Sequence, residues 1–133
     1  MDFELHPRLA ADTIFVADWS LCRVLLMNDA RYPWIILVPR RVGVEEVFDL
    51  TLDEQLALMA ETAHAAKALK HLTGAVKMNI GALGNVVPQL HVHVVARTKA
   101  DFAWPGPVWG KGEVVSYAPA ARDAFVRQLV NTL

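Results

Sequence analysis

At 133 residues the chain is long enough for one domain with a real core, and 54% hydrophobic against 20% charged residues argues against disorder. Thirteen basic and fourteen acidic side chains leave a formal charge of −1, with none of the basic excess of a dedicated nucleic-acid binder. The single cysteine, Cys22, can form neither an internal disulfide nor a four-thiolate metal site.

In chain order, residues 1–11 carry Asp2, Glu4, His6 and Arg8 and hold no apolar leader, and no run of 18 apolar residues follows anywhere. A soluble, cytoplasmic protein with no membrane partner is expected. Thr13 to Ala17 and Leu21 to Met27 are apolar runs split by Asp18-Trp19-Ser20, the pattern of a hairpin. Cys22 lies inside the second run and reads as core filler. Asn28 to Pro33 is a polar loop, and Trp34 to Val38 is a buried strand ended by Pro39 and the pair Arg40-Arg41. Three strands with short connections predict an antiparallel sheet.

Thr51-Leu52-Asp53-Glu54 has the form of a capping box and opens a long helix. Leu52, Leu56, Met59, Ala63, Ala66 and Leu69 recur at three- and four-residue steps and predict its buried stripe. Gly74 supplies a stop. Ala75 to Ile80 reads as a fourth strand, Gly81 to Asn85 as a glycine-bearing loop, and Gln89 to Val95 as a fifth strand. A mixed aromatic, proline and glycine segment from Asp101 to Gly110 precedes a last helix, Pro119 to Asn131. Early strands, a helix and then more strands favour α+β over a doubly wound fold. With no repeat or linker, residues 1–133 read as a single domain.

The fifth strand carries the chemistry. Side chains alternate faces with a period of two, so Gln89, His91, His93 and Val95 share one face while Leu90, Val92 and Val94 share the other. Two imidazoles about 7 Å apart at Cα on a rigid strand suit nucleophilic or acid–base work near neutral pH. Two polar residues on a solvent face is the plain alternative. Metal ligation is another, since His-x-His is a common ligand pair, but no His or Cys follows His93 to complete a set. His64 and His71 fall on the long helix, where solvation accounts for them.

The run Gln89-Leu90-His91-Val92-His93-Val94-Val95 resembles the signature of the histidine triad superfamily, His-φ-His-φ-His-φ-φ with φ apolar, with Gln89 at the first histidine position. Leu26-Met27-Asn28, Pro33 to Pro39 and Asn79-Ile80-Gly81 before the triad strand follow the family order, and Trp104 to Gly110 looks like the tail of a bacterial subgroup. The resemblance implies a five-stranded antiparallel sheet with two main helices and a two-fold homodimer. It also implies a nucleotide or nucleotide conjugate as substrate and hydrolysis or transfer at the α-phosphate, with no metal or other cofactor. On that pattern His91 is the nucleophile that forms a nucleotidyl-histidine and His93 meets the phosphate oxygens. Gln89, Asn79 and the Gly84-Asn85 loop are further expected phosphate contacts, and Asn28 the ribose contact. Phe3, Leu5, Phe15 and Leu26 are candidates for the base wall.

Protonated His93 and the Gln89 amide are expected to offset phosphate charge. Glutamine cannot carry a proton, so turnover slower than a full triad gives, or restriction to good leaving groups, is expected, with a gain on Gln89→His. Trp34 stands where many members have a further histidine, and Val86 where some carry a phosphate-binding hydroxyl. A nucleotide-binding module with weak or no catalysis is therefore the competing reading. Asn28 beside Asp29 also suits plain turn chemistry, and Arg97 reads as a surface residue within possible reach of phosphate.

Overall fold

The computed structural model describes all 133 residues. Five antiparallel strands form one sheet in the order β1-β2-β3-β5-β4: β1 Thr13–Asp18, β2 Cys22–Met27, β3 Trp34–Pro39, β4 Lys77–Gly81 and β5 Val92–Arg97. Three helices join them: α1 Pro7–Asp12, α2 Leu52–Thr73 and α3 Pro119–Thr132. The α+β architecture expected from the sequence is the one found, with α1 and a 3-10 turn at Val47–Asp49 in addition.

The strands follow their composition. β3 is buried on both faces and reads as an unbroken apolar run. Alternation splits the sheet's side chains into two cores. Val24, Leu26, Ile35, Leu37, Leu90, Val92 and Val94 pack with Leu58, Ala65 and Leu69 of α2 and Leu129 of α3. Leu25, Trp34, Ile36, Val38 and Val95 face the other way and meet Leu9 of α1 and Ala103 and Val108 of the C-terminal segment. The sheet thus has one side covered by α2 and α3 and another covered by the N-terminal segment and the stretch between β5 and α3. Cys22 is fully buried in the helical-side core, and burial pushes its thiol well up, as suits filler.

The Thr51 capping box forms as expected: the Thr51 hydroxyl accepts from the Glu54 N–H at 3.2 Å, and Glu54 accepts from the Thr51 N–H at 2.9 Å. Gly74 ends the helix in the left-handed region at φ 68°, where its N–H donates to the Lys70 carbonyl. The buried stripe of α2 differs from the expected one. Leu58, Thr62, Ala65 and Leu69 are the buried set, whereas Leu52, Leu56 and Met59 are 71%, 63% and 68% exposed. Only Leu69 belongs to both the expected and the observed buried sets.

The fifth strand is also shorter than expected. Its ladder begins at Val92, and Leu90 donates instead to the Val44 carbonyl at 3.0 Å. The alternation of faces still holds from Leu90 to Val95, so the histidine face survives although residues 89–91 lie outside the ladder.

Arg97, expected at the surface, is buried. It is 1% exposed, bound through two nitrogens to Asp101 at 2.8 and 3.0 Å, and it donates to Asn79 Oδ1 and to the Gly106 carbonyl. Tyr32 and Trp104 lie 5.8 and 5.5 Å from its guanidinium. This buried cation pins the C-terminal segment to the sheet. At its other end, that segment is tied to the β2–β3 loop. Tyr117 N–H donates to Asn28 Oδ1 at 3.0 Å, Ala30 N–H to the Val115 carbonyl, and Arg31 to the Lys111 carbonyl. No helix is long and apolar enough to cross a membrane.

Candidate active site

A cleft of about 400 Å³ opens on the side of the sheet covered by the N-terminal segment and the stretch between β5 and α3. β5 supplies His91, just before its first residue, and His93; β3 supplies Trp34; the C-terminal segment supplies Trp109. The two imidazole centroids are 4.8 Å apart at 68°. Trp109 lies 5.5 Å from His93 and 6.4 Å from Trp34. Gly81 makes room for it, since a Cβ there would come within 3.1 Å of the Trp109 ring.

Each histidine has one nitrogen engaged. His91 Nδ1 sits 2.7 Å from the Gln89 carbonyl. A carbonyl only accepts, so Nδ1 carries a proton and the neutral ring has its lone pair on Nε2. That Nε2 has no protein partner and is not sealed from solvent. His93 Nδ1 accepts from Trp34 Nε1 at 3.0 Å. Burial, reinforced by the neighbouring His91, pushes His93 down to about 3. The expected protonated His93 is therefore replaced by a neutral ring at neutral pH.

The remaining expected site residues divide. Gly84 and Asn85 line the cleft with both histidines. Gly84 has φ +73°, a backbone conformation that needs glycine. Val86 lines it too.

Gln89 does not reach into the cleft. Its Oε1 accepts from the His6 N–H at 2.9 Å and its Nε2 donates to the Glu4 carbonyl at 2.9 Å. The amide therefore clasps the N-terminal segment and is not free for a phosphate. Its backbone carbonyl is what bears on His91.

Asn79 is outside the lining and accepts from Arg97 at 2.7 Å. Asn28 is outside it as well and holds Tyr117. Of the base-wall candidates, Leu26 is buried in the core on the opposite face, and Phe15 is 55% exposed beneath Arg23. Phe3 and Leu5 pack beside the core on the cleft side of the sheet.

Sequence reasoning missed the cationic rim. Arg8, Arg31 and Lys111 line the cleft, with Arg31 held 2.8 Å from the fully buried Asp29. They come from three separate segments, and no spacing pattern links them. The proline and glycine content of the segment around Lys111 was the available sign that the chain folds back there.

Residues 8–100 match the family model described as the HIT domain. The chain belongs to the histidine triad, or HIT, family. Solved structures agree along nearly the whole length. A histidine triad protein from Bradyrhizobium japonicum is 44% identical at TM-score 0.96, covering 99% of this chain and 98% of that one. One from Sinorhizobium meliloti is 48% identical at TM-score 0.96, covering 98% and 97%. One from Marinobacter aquaeolei is 46% identical at TM-score 0.93, covering 98% and 94%. A search of curated proteins returns no match. The family is one of nucleotide-binding hydrolases and transferases.

Proposed function

We propose that this HIT protein is a nucleotide hydrolase or nucleotidyl transferase that works at the α-phosphate through a covalent intermediate on His91. The observation that carries the reading is the engaged Nδ1 of His91, which leaves an accessible Nε2 lone pair in a nucleotide-sized cleft. Nε2 attacks phosphorus and forms the N–P bond while the P–O bond to the leaving group breaks. Water then cleaves N–P and releases the nucleoside monophosphate, or another acceptor takes the nucleotidyl group.

His93 donates to a phosphate oxygen, and main-chain N–H groups of the Gly84-Asn85 loop meet the others. Arg8, Arg31 and Lys111 favour an anionic substrate by long-range attraction. With Gln89 carrying no proton and His93 neutral, substrates whose leaving group departs as a stable anion fit best. Asn28 and Asn79 act by shaping the loops around the cleft, through Tyr117 and Arg97.

The working unit is a homodimer. Leu52, Leu56 and Met59 form an exposed apolar row on α2, and Phe48, one helical turn earlier in the sequence, is 78% exposed. A second copy of the same face covers such a row by two-fold symmetry.

Steady-state turnover of a dinucleoside polyphosphate in excess chelator tests the reading. Turnover without metal that His91→Asn abolishes supports it. Binding without turnover in the wild type would reduce the protein to a nucleotide-binding module.

A further inference from the structure

We infer that Trp34 is a positioning residue that fixes His93 as its Nε2–H tautomer, so that the two histidines present opposite chemistry to the cleft. The indole N–H is a donor with no lone pair to accept. Placed 3.0 Å from His93 Nδ1 in a buried contact, it requires an unprotonated Nδ1 and leaves the single ring proton on Nε2. The Gln89 carbonyl imposes the reverse on His91, with the proton on Nδ1 and the lone pair on Nε2. One partner is donor-only and the other acceptor-only, so neither ring can exchange tautomers without losing a hydrogen bond.

The register makes the pairing possible. Trp34 lies opposite Val95 and Ile36 opposite His93, so Trp34 is the diagonal neighbour of His93 on the same face, within reach of a long aromatic side chain. The contact is edge-on, with centroids 5.6 Å apart at 60°. Protonating Nδ1 would set an N–H against the indole N–H. Nothing nearby offsets that. His91 on β5 is itself a base, Trp109 from the C-terminal segment does not titrate, and Asp29 in the cleft wall is already committed to Arg31. His93 hydrogen-bonds to no carboxylate. The device thus supplies a fixed N–H donor across the acid range where a histidine ordinarily switches. Its kinetic consequence rests on the nucleotidyl-transfer reading, but the tautomer itself does not.

The test is long-range proton–nitrogen correlation NMR on the full chain with 15N-labelled histidine and no nucleotide. A parallel His93→Gln spectrum identifies the His93 signals. We expect one protonated nitrogen, Nε2, and one unprotonated nitrogen, Nδ1, unchanged from about pH 8 to pH 5. In Trp34→Phe, the two nitrogen signals move toward each other as the tautomers average, burial still keeps the ring unprotonated in that range, and kcat/KM falls with the fraction of the Nε2–H tautomer. A wild-type proton on Nδ1, wild-type titration of His93 between pH 8 and 5, or a Trp34→Phe spectrum identical to the wild type would overturn the inference. If Trp34→Phe fails to fold, the wild-type spectrum still decides. A missing turnover would count against the proposed function alone, because the spectra need no substrate.

Discussion

Neighbouring histidines on one strand end up in different electrostatic states because their partners differ. His93 is held neutral by burial, and that has a consequence for stability. Its ordinary value is 6.5 and its folded value about 3. The unfolded chain therefore takes up a proton near pH 6.5, while the native chain does so only near pH 3. The stabilisation is complete above the first value and is lost as pH falls toward the second, at roughly 1.4 kcal/mol per unit. Thermal unfolding of the wild type is expected to weaken more steeply from pH 7 to pH 5 than that of His93→Gln; parallel curves would contradict this. Gln89 shows how far a motif reaches. The sequence placed it correctly on the histidine face, but an amide that both donates and accepts along one edge also matches the backbone of Glu4 and His6. An imidazole, with its two nitrogens pointing apart, does not reproduce that pair. Gln89→His is now expected to loosen the N-terminal segment, read as faster amide exchange at His6, with no gain in turnover. A tenfold gain would restore the proton-shuttle expectation.

Local signals that use few residues were legible in the sequence at the scale of whole elements. The Thr51 box, the Gly74 stop and the Pro119 start all stand where expected. The buried face of α2 was not legible, because the helix carries two apolar rows at helical spacing. Leu58, Ala65 and Leu69 form one, and Leu52, Leu56 and Met59 the other. Periodicity identifies a row but not which one meets the sheet. α1, with six residues, is too short to show a period; only Pro7 after a capping His6 marks it. The second row of α2 carries the expectation of a dimer. Leu56→Glu with Met59→Lys is expected to convert the protein to monomer in light scattering while leaving its circular dichroism unchanged. A monomeric wild type would contradict the assignment. Leu69→Ala, at the other row, is expected to cost about 2–5 kcal/mol in denaturant unfolding, since that side chain is fully buried.

Taken as a whole, the molecule uses its N-terminal segment and the stretch between β5 and α3 as the wall of the cleft. The N-terminal segment is clasped by Gln89 and delivers Arg8; the C-terminal segment is pinned by Arg97 and delivers Trp109 and Lys111. Little of this was visible in the sequence beyond the proline and glycine content before Lys111: Arg97 looked like a surface charge and residues 101–110 had no regular pattern. Long-range packing of irregular chain leaves no periodic trace, whereas the sheet order and the histidine face depend on alternation and were read directly. Breaking the Arg97–Asp101 pair with Asp101→Ala is expected to cost about 3–5 kcal/mol, because it strands a buried guanidinium. Arg97 holds the Asp101 carboxyl below its usual range, so this contribution is present above about pH 4 and fades as pH falls past the depressed value.

Catalysis turns on the lone pair of His91, and trapping the intermediate probes it. The protein is mixed with a nucleotide conjugate carrying radiolabel on its α-phosphate, quenched in alkali to preserve an N–P bond, and digested. Label is expected on the peptide that contains residue 91, and none in His91→Asn. Turnover that survives in His91→Asn, with no label on that peptide in the wild type, would contradict it.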